Sequence, residues 1–385
     1  MLDRAKLAQT VAEAATRVFP RTRRYGMEVA RLLWQRVLKN PLMLDAVLED
    51  GAHSRPLEEI SATRKIEPIS DGYTAVGVDG SQVYADQTAD SVPCVLINIG
   101  GIVLKYGETS SATLFSEPKV IVPEDCHGVP GGRHLSHEFV DFLREQRELE
   151  HAFEKSKREL RDCRGVCFLD GTLIFGFLAE KPPMVAKYFL GKYMEALSKF
   201  CDHGIPHVAY ISSSRSRDIV RLLESLVESE MMPDEIGAEE LSSEAWRLYN
   251  FDYVFDVDVL SNSLPHFHRT AWFESRAPII VGKPGYPEAL RVAFCYANVG
   301  AEIVRLEIPM WLFKSTTCNE VLGMTLDQAL KGHGYPVAIS ESHEQAVVRG
   351  ADRDFFVSLL EQHGIGLGVN SSMSQKAFKK RIVAV

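Results

Sequence analysis

The sequence predicts an α/β protein: a mixed β-sheet flanked by helices, with an N-terminal helical extension. Two observations predict it. Three strand-like runs follow one another between residues 74 and 122, the pattern of an antiparallel meander. From residue 165 onward strand-like and helix-like stretches alternate, the pattern of parallel βαβ units. A long charged helical stretch joins the two halves. That order fits an RNase H-like core, with other three-layer α/β arrangements as alternatives.

The first fifty residues carry apolar positions at helical spacing (Leu7, Val11, Ala14, Ala15, Val18), and a second amphipathic run over 28–48 is broken at Pro41. Their apolar faces are expected to pack onto the core, with a dimer or partner surface as the alternative. Residues 51–71 are polar, carry two prolines and read as a linker. Strands are expected at 74–79, 92–104 and 112–122, with Gly100-Gly101 as a tight turn or bulge inside the second. A charged helix over 134–161 follows, then a strand at 165–170, a helix at 182–203, a strand at 207–212 and a helix at 216–230. "FDYVFDVDVL" (251–260) and "APIIVG" (277–282) read as strands, 287–299 as a helix and "EIVRLEIP" (302–309) as a strand. Helical segments at 319–331 and 340–362 precede a tail from residue 364, with a basic cluster at Lys376, Lys379, Lys380 and Arg381.

The 385 residues are 45% hydrophobic and 25% charged, as in an ordinary globular protein. No run of eighteen apolar residues occurs, so no membrane span is expected. The opening stretch mixes acids with bases and lacks an apolar block, so no signal or transit peptide is expected. Seven cysteines without a CxxC pair fit a reduced, cytoplasmic setting. The net charge of −9 argues against a protein that wraps duplex DNA over its whole surface. It is compatible with an enzyme whose site must be acidic to hold metal cations.

Two short motifs carry the chemistry. "VDGSQ" (78–82) and "LDGTL" (169–173) each set Asp-Gly and a small hydroxyl residue at the end of an apolar run. Asp-Gly alone is a common turn. If Asp79 and Asp170 end neighbouring strands, two carboxylates converge and repel unless a cation neutralises them. Magnesium and manganese suit such oxygen ligands. On the helix before Asp170, Glu150 borders the apolar stripe of Leu149 and Phe153, with Glu148 as competitor; a solvated face is the bland alternative. In "GYPVAISESHEQAV" (334–347), His343 on a helical first turn is a plausible metal ligand or acid/base group.

On these three motifs, in this order, the sequence resembles the NurA nuclease family over residues 74–362. "YISSSRSR" (210–217) resembles a family strand-end motif in which a lysine is usual; Ser213 stands in its place, with Arg215 or Arg217 as possible substitutes. The resemblance implies an RNase H-like nuclease domain at 71–363, after an N-terminal helical segment and linker (1–70) and before the basic tail (364–385). It implies that Asp79, Glu150, Asp170 and His343 gather around divalent metal, Mn2+ or Mg2+ and two ions, with Tyr335 beside them. It further implies exonuclease and single-strand endonuclease action on DNA, a homodimer, and a HerA-like hexameric ATPase as partner in DNA end resection or anti-phage defence.

In the chemistry this predicts, two metal ions clamp the scissile phosphate. Asp79 is shared between them, Asp170 and Glu150 each complete one site, and Tyr335 orients the attacking water or a phosphate oxygen. The chain has no GxxxxGK[ST] P-loop, so ATP use is expected of a partner. Three alternatives stand beside this: a zinc module built on Cys126, His127, His134 and His137; an inactive scaffold with the same fold; and a phosphoesterase acting on small molecules.

Overall fold

The N-terminal periodicity is realised as helices α1 (Arg4–Val18) and α2 (Arg21–Lys39) in the computed structural model, which describes residues 2–49, 51–84, 93–229 and 243–366. The basic cluster Lys376–Arg381 lies outside the described residues. The chain divides into one unit of Met1–Ile66, Ile211–Ala277 and Ala293–Leu306, and another of Glu67–Tyr210, Pro278–Val292 and Glu307–Val385.

In the first unit α2 buries Val29, Ala30, Leu33 and Val37, an i, i+4, i+8 stripe, against Ile219, Leu223 and Leu226 of the helix Asp218–Glu228 and against Phe273, Phe294 and Tyr296. The expected packing onto a core therefore holds for α2. It does not hold for α1, whose Leu7, Val11 and Val18 are exposed.

The second unit carries the candidate residues. Its spine is β1 (Tyr73–Tyr84), paired antiparallel along its whole length with β2 (Val95–Tyr106), which pairs antiparallel with β3 (Ser111–Ile121). On its other side β1 runs parallel to β4 (Gly165–Asp170), and β4 parallel to β5 (His207–Ile211). The order β3-β2-β1-β4-β5 is the mixed sheet the sequence predicts. One face receives α3 (His137–Glu159) and α4 (Pro183–Asp202), locked by Phe142 against Phe189 and Phe153 against Phe200 at ring separations of 5.3 and 5.5 Å. α5 (Cys318–Lys331) and α6 (Val337–Ala346) follow later in the chain, and α6 lies on the opposite face of β1 and β2.

Several expectations are corrected. Asp79 does not end its strand: β1 continues five residues further, because β2 still pairs with it after β4 has stopped at the Val78–Leu169 pair. Gly100-Gly101 is neither turn nor bulge but lies inside β2 in regular register. A Cβ at Gly100 would stand 2.2 Å from the Ala346 nitrogen and one at Gly101 2.4 Å from the Phe115 ring, so both glycines make room for neighbours. "FDYVFDVDVL" forms a helical turn, Asp256–Leu260, because the Asp258 carboxylate accepts from the Phe255 N–H and caps it. "APIIVG" is likewise one helical turn, Pro278–Val281. The helix expected at 287–299 is a short 3-10 turn followed by the strand Val292–Asn298, every residue of which is buried. A continuous apolar run of that length suits a covered strand as well as a helix.

His207 opens β5 fully buried against the Phe200 ring, with its Nδ1–H directed to the Ile205 carbonyl. Burial pushes its imidazole down to about 4 from 6.5. The folded protein holds this ring neutral where the unfolded chain takes up a proton, so stability present above pH ~6.5 falls as pH drops toward 4, by roughly 3 kcal/mol in all. Urea unfolding at pH 7 and pH 5 should show this loss in the wild type and a smaller one in His207→Leu.

Candidate active site

Successive residues of a strand point to opposite faces, and β1 uses both. Gly77, Asp79 and Ser81 face α6. A Cβ at Gly77 would lie 2.1 Å from the Ala338 carbonyl oxygen, His343 Nδ1 is 2.8 Å from Asp79 Oδ2, and Ser81 Oγ donates to the Ala346 carbonyl at 2.5 Å. Four strand steps cover about 13 Å and the eight helical steps from Ala338 to Ala346 about 12 Å, so helix and strand stay in register over all three anchors. Gly80, Gln82 and Tyr84 face α3. Gln82 Nε2 donates to Asp141 at 2.6 Å, and the Tyr84 ring lies tilted against His137 with centroids 4.0 Å apart.

The first Asp-Gly is thus not a turn. Gly80 sits within a strand, and its missing side chain is occupied by Glu148, whose Oε1 would be 2.5 Å from a Cβ there. The second Asp-Gly is a turn. Gly171 has φ +102°, and the chain after it is held by the buried carboxylate of Glu307, which accepts from Thr172 Oγ at 2.7 Å and from the Leu173 N–H at 2.8 Å. Asp170 is the exposed last residue of the otherwise buried β4. Tyr335, just ahead of α6, donates its hydroxyl to Asp170 Oδ1 at 3.1 Å. Desolvation first, and then the Asp79 charge, raise the Asp170 carboxyl above its ordinary value, against the Tyr335 hydrogen bond and His343.

Of the two glutamates, Glu148 is the one seated on β1, over Gly80 on the face opposite α6. Burial first, then the charges of Asp79 and Glu145, push its carboxyl up to about 8, against the opposing pull of Arg144. Arg144 forms an ion pair with Glu148 and reaches the Gly80 carbonyl. Glu150 points elsewhere: it accepts from Gln146 Nε2 at 2.8 Å, interacts with Lys192 on α4, and lines a groove of about 1130 Å³ beside Lys155 and Arg161. The structure therefore brings together Asp79, Asp170, Tyr335 and His343, sets Glu148 next to them across β1 over Gly80, and leaves Glu150 outside. Glu307 carries no signal in the sequence beyond its place in the strand-like run 302–309.

Three carboxylates and an imidazole are a donor set suited to a hard divalent cation. Burial is the main cause that raises the carboxyls of Asp170 and Glu148, and the Asp79 charge adds to it in both. Among the described residues, however, no three His, Cys, Asp or Glu side chains already meet as a metal cage. Glu148 must exchange Arg144 for the cation to close one. The same observation leaves the zinc alternative without a cage. Its Cys126 is buried and its His137 packs against the Tyr84 ring. In the other unit, Ser213 has φ +47° and donates its N–H to Glu302, while Arg217 is taken up by the Val254 and Phe251 carbonyls and Glu224. Arg217 is therefore not a free substitute for the expected lysine; the Arg215 residue is exposed.

The family model described as the NurA domain matches residues 73–348. The fold is similar to the crystal structure of the NurA nuclease from Sulfolobus solfataricus, with a TM-score of 0.53 at 12% identity over 97% of this chain and 100% of that one. A crystal structure of NurA gives 0.43 at 11% identity over 85% and 96% of the two chains. One of NurA with manganese gives 0.36 at 13% over 85% and 97%. No curated protein matches.

Manganese should raise the melting temperature of the wild type, by about 2.7 kcal/mol of stability at a hundredfold excess over Kd. Thermal scanning should show that rise abolished in Asp79→Asn and Glu148→Gln and retained in Glu150→Gln.

Proposed function

This chain belongs to the NurA family, a family of nucleases, and from that premise we propose that the pocket at the end of β4 hydrolyses phosphodiester bonds in DNA. One observation carries the proposal. Asp79 and Asp170 stand on neighbouring parallel strands, on the carboxyl side where α/β sheets do their chemistry, close enough for one to raise the other's pKa.

Asp79, Glu148 and Asp170 would hold the cation, with manganese or magnesium as the ions of choice and two as the number. When bound, the metal supplies Lewis-acid polarisation of the phosphate and a water of lowered pKa. The chain's own residues do the rest. With His343 Nδ1–H donating to Asp79, the ring is fixed in orientation and Nε2 is left as the free acceptor, on a side chain that is 59% exposed. It can take a proton from an incoming water or return one to the leaving oxygen. Tyr335 holds one oxygen of Asp170, which leaves the other for the cation. None of these groups reads a base, so cleavage is expected to be indifferent to sequence.

We extend the proposal to exonuclease and single-strand endonuclease action by a homodimer, in the cytoplasm, with a HerA-like ATPase that moves the DNA, in end resection or anti-phage defence. The missing P-loop and the net charge of −9 support the division of labour, and the seven free cysteines support the reducing setting. Among the described residues, no helix is long and apolar enough to cross a membrane.

Cleavage of single-stranded and duplex DNA with manganese, beside RNA and a small phosphodiester, tests the assignment. Asp79→Asn should abolish cleavage with an unchanged circular dichroism spectrum, and His343→Ala should lower turnover by roughly 10²–10⁴-fold. Full activity in Asp79→Asn would overturn the proposal, and cleavage confined to the small ester would move it to the small-molecule class.

A further inference from the structure

The last turn of α6 is held by side chains of the sheet. A helix leaves its final carbonyls without partners inside the helix, and α6 ends at Ala346 with no glycine cap: its C-cap is Val347. Asn98, on β2 and only 6% exposed, donates Nδ2 to the Ala346 carbonyl at 2.9 Å and to the Gln345 carbonyl at 3.2 Å. Ser81, its cross-strand partner on β1, donates to the same Ala346 oxygen at 2.5 Å. Asn98 Oδ1 accepts from Ser116 Oγ on β3 at 2.9 Å, which fixes which end of the amide faces the helix. Two residues along β2, Gly100 lets the helix backbone rest directly on the strand.

His343, expected on a first helical turn, belongs to this same last turn, because the helix starts at Val337 behind Pro336 and stops at Ala346 rather than running over 340–362. We propose that Asn98, seconded by Ser81, is a positioning residue that sets the His343 imidazole on Asp79 by pinning the carbonyls of Gln345 and Ala346. Among its hydrogen bonds, Asn98 makes none to Asp79 or His343; it acts through α6. Helix ends fray, and α6 has only ten residues, so three donors on its final carbonyls decide whether the ring stays in register. The chemistry of the clamp suits its place. Neutral amide and hydroxyl donors satisfy the negative end of the helix without adding a positive charge beside a cation pocket. The proposal rests on the nuclease assignment of this site for its consequence in turnover, but not for its geometry.

Two measurements on the full-length protein test it. The ring nitrogens of His343, observed by NMR in the metal-free protein, should show a defined Nδ1–H tautomer in the wild type. That signature should be lost in Asn98→Ala, as in Asp79→Asn, while the resonances of His207 stay in place. In a double-mutant cycle, Asn98→Ala should lower turnover on DNA by the 10–100-fold that orienting partners carry. The same change should cost less than about twofold once His343 is already alanine. Ser81→Ala, which removes one donor of three, should give the same pattern at smaller size if Asn98→Ala fails to fold. An unchanged His343 signature, or an equal loss in both backgrounds, would overturn the proposal. If the wild type cleaves no DNA, the nuclease assignment fails and the NMR result alone decides the clamp.

Discussion

The site depends on one close approach: at Gly77 and Gly100 the backbone of α6 lies on β1 and β2 with no side chain between. Gly77 and Gly100 make this possible, since a Cβ at either would collide with the helix main chain. Interiors are packed too tightly to absorb such a clash by small shifts. The seat has a functional consequence because a strand rises about twice as far per residue as a helix. Positions 77, 79 and 81 therefore align with 338, 343 and 346, and an aspartate at 79 meets a histidine at 343 by register alone.

Electrostatics then divide the acidic groups by role. Asp79 has His343 as partner, Asp170 has Tyr335, and Glu148 has Arg144. Asp79 also accepts from the Gly80 N–H at 2.8 Å, and its charge still helps to raise the carboxyls of Asp170 and Glu148. Carboxylates set this close are costly to ionise together until a cation enters. Arg144 answers only part of that demand, since the carboxyl of Glu148 remains pushed up to about 8 with the arginine in place. The carboxylates of this pocket are thus arranged for a ligand more highly charged than a guanidinium.

Much of this was legible in the sequence. The meander, the strand–helix alternation, the two aspartates and the histidine follow from local pattern and motif order; the tyrosine follows from the family resemblance. The two Asp-Gly pairs show where local pattern stops. They look alike in sequence, yet Gly80 continues a strand and Gly171 turns the chain, because only the first has an antiparallel neighbour that outlasts the parallel one. Glu148 and Glu150 could not be told apart for a similar reason. At 100° per residue they flank Leu149 symmetrically. Which flank meets β1 is decided by how α3 lies on the sheet. The all-buried strand Val292–Asn298 was misread as a helix because a run buried on both sides carries no period.

The central claim is that side chains from β1, α3, β4 and α6 form one cation-binding pocket. Anomalous diffraction from crystals soaked in manganese would test it directly. The account predicts a manganese peak liganded by Asp79 and Asp170, with Glu148 turned from Arg144 toward it. A peak elsewhere, for example at the Cys126–His137 loop or in the groove beside Glu150, with none at Asp79, would contradict it.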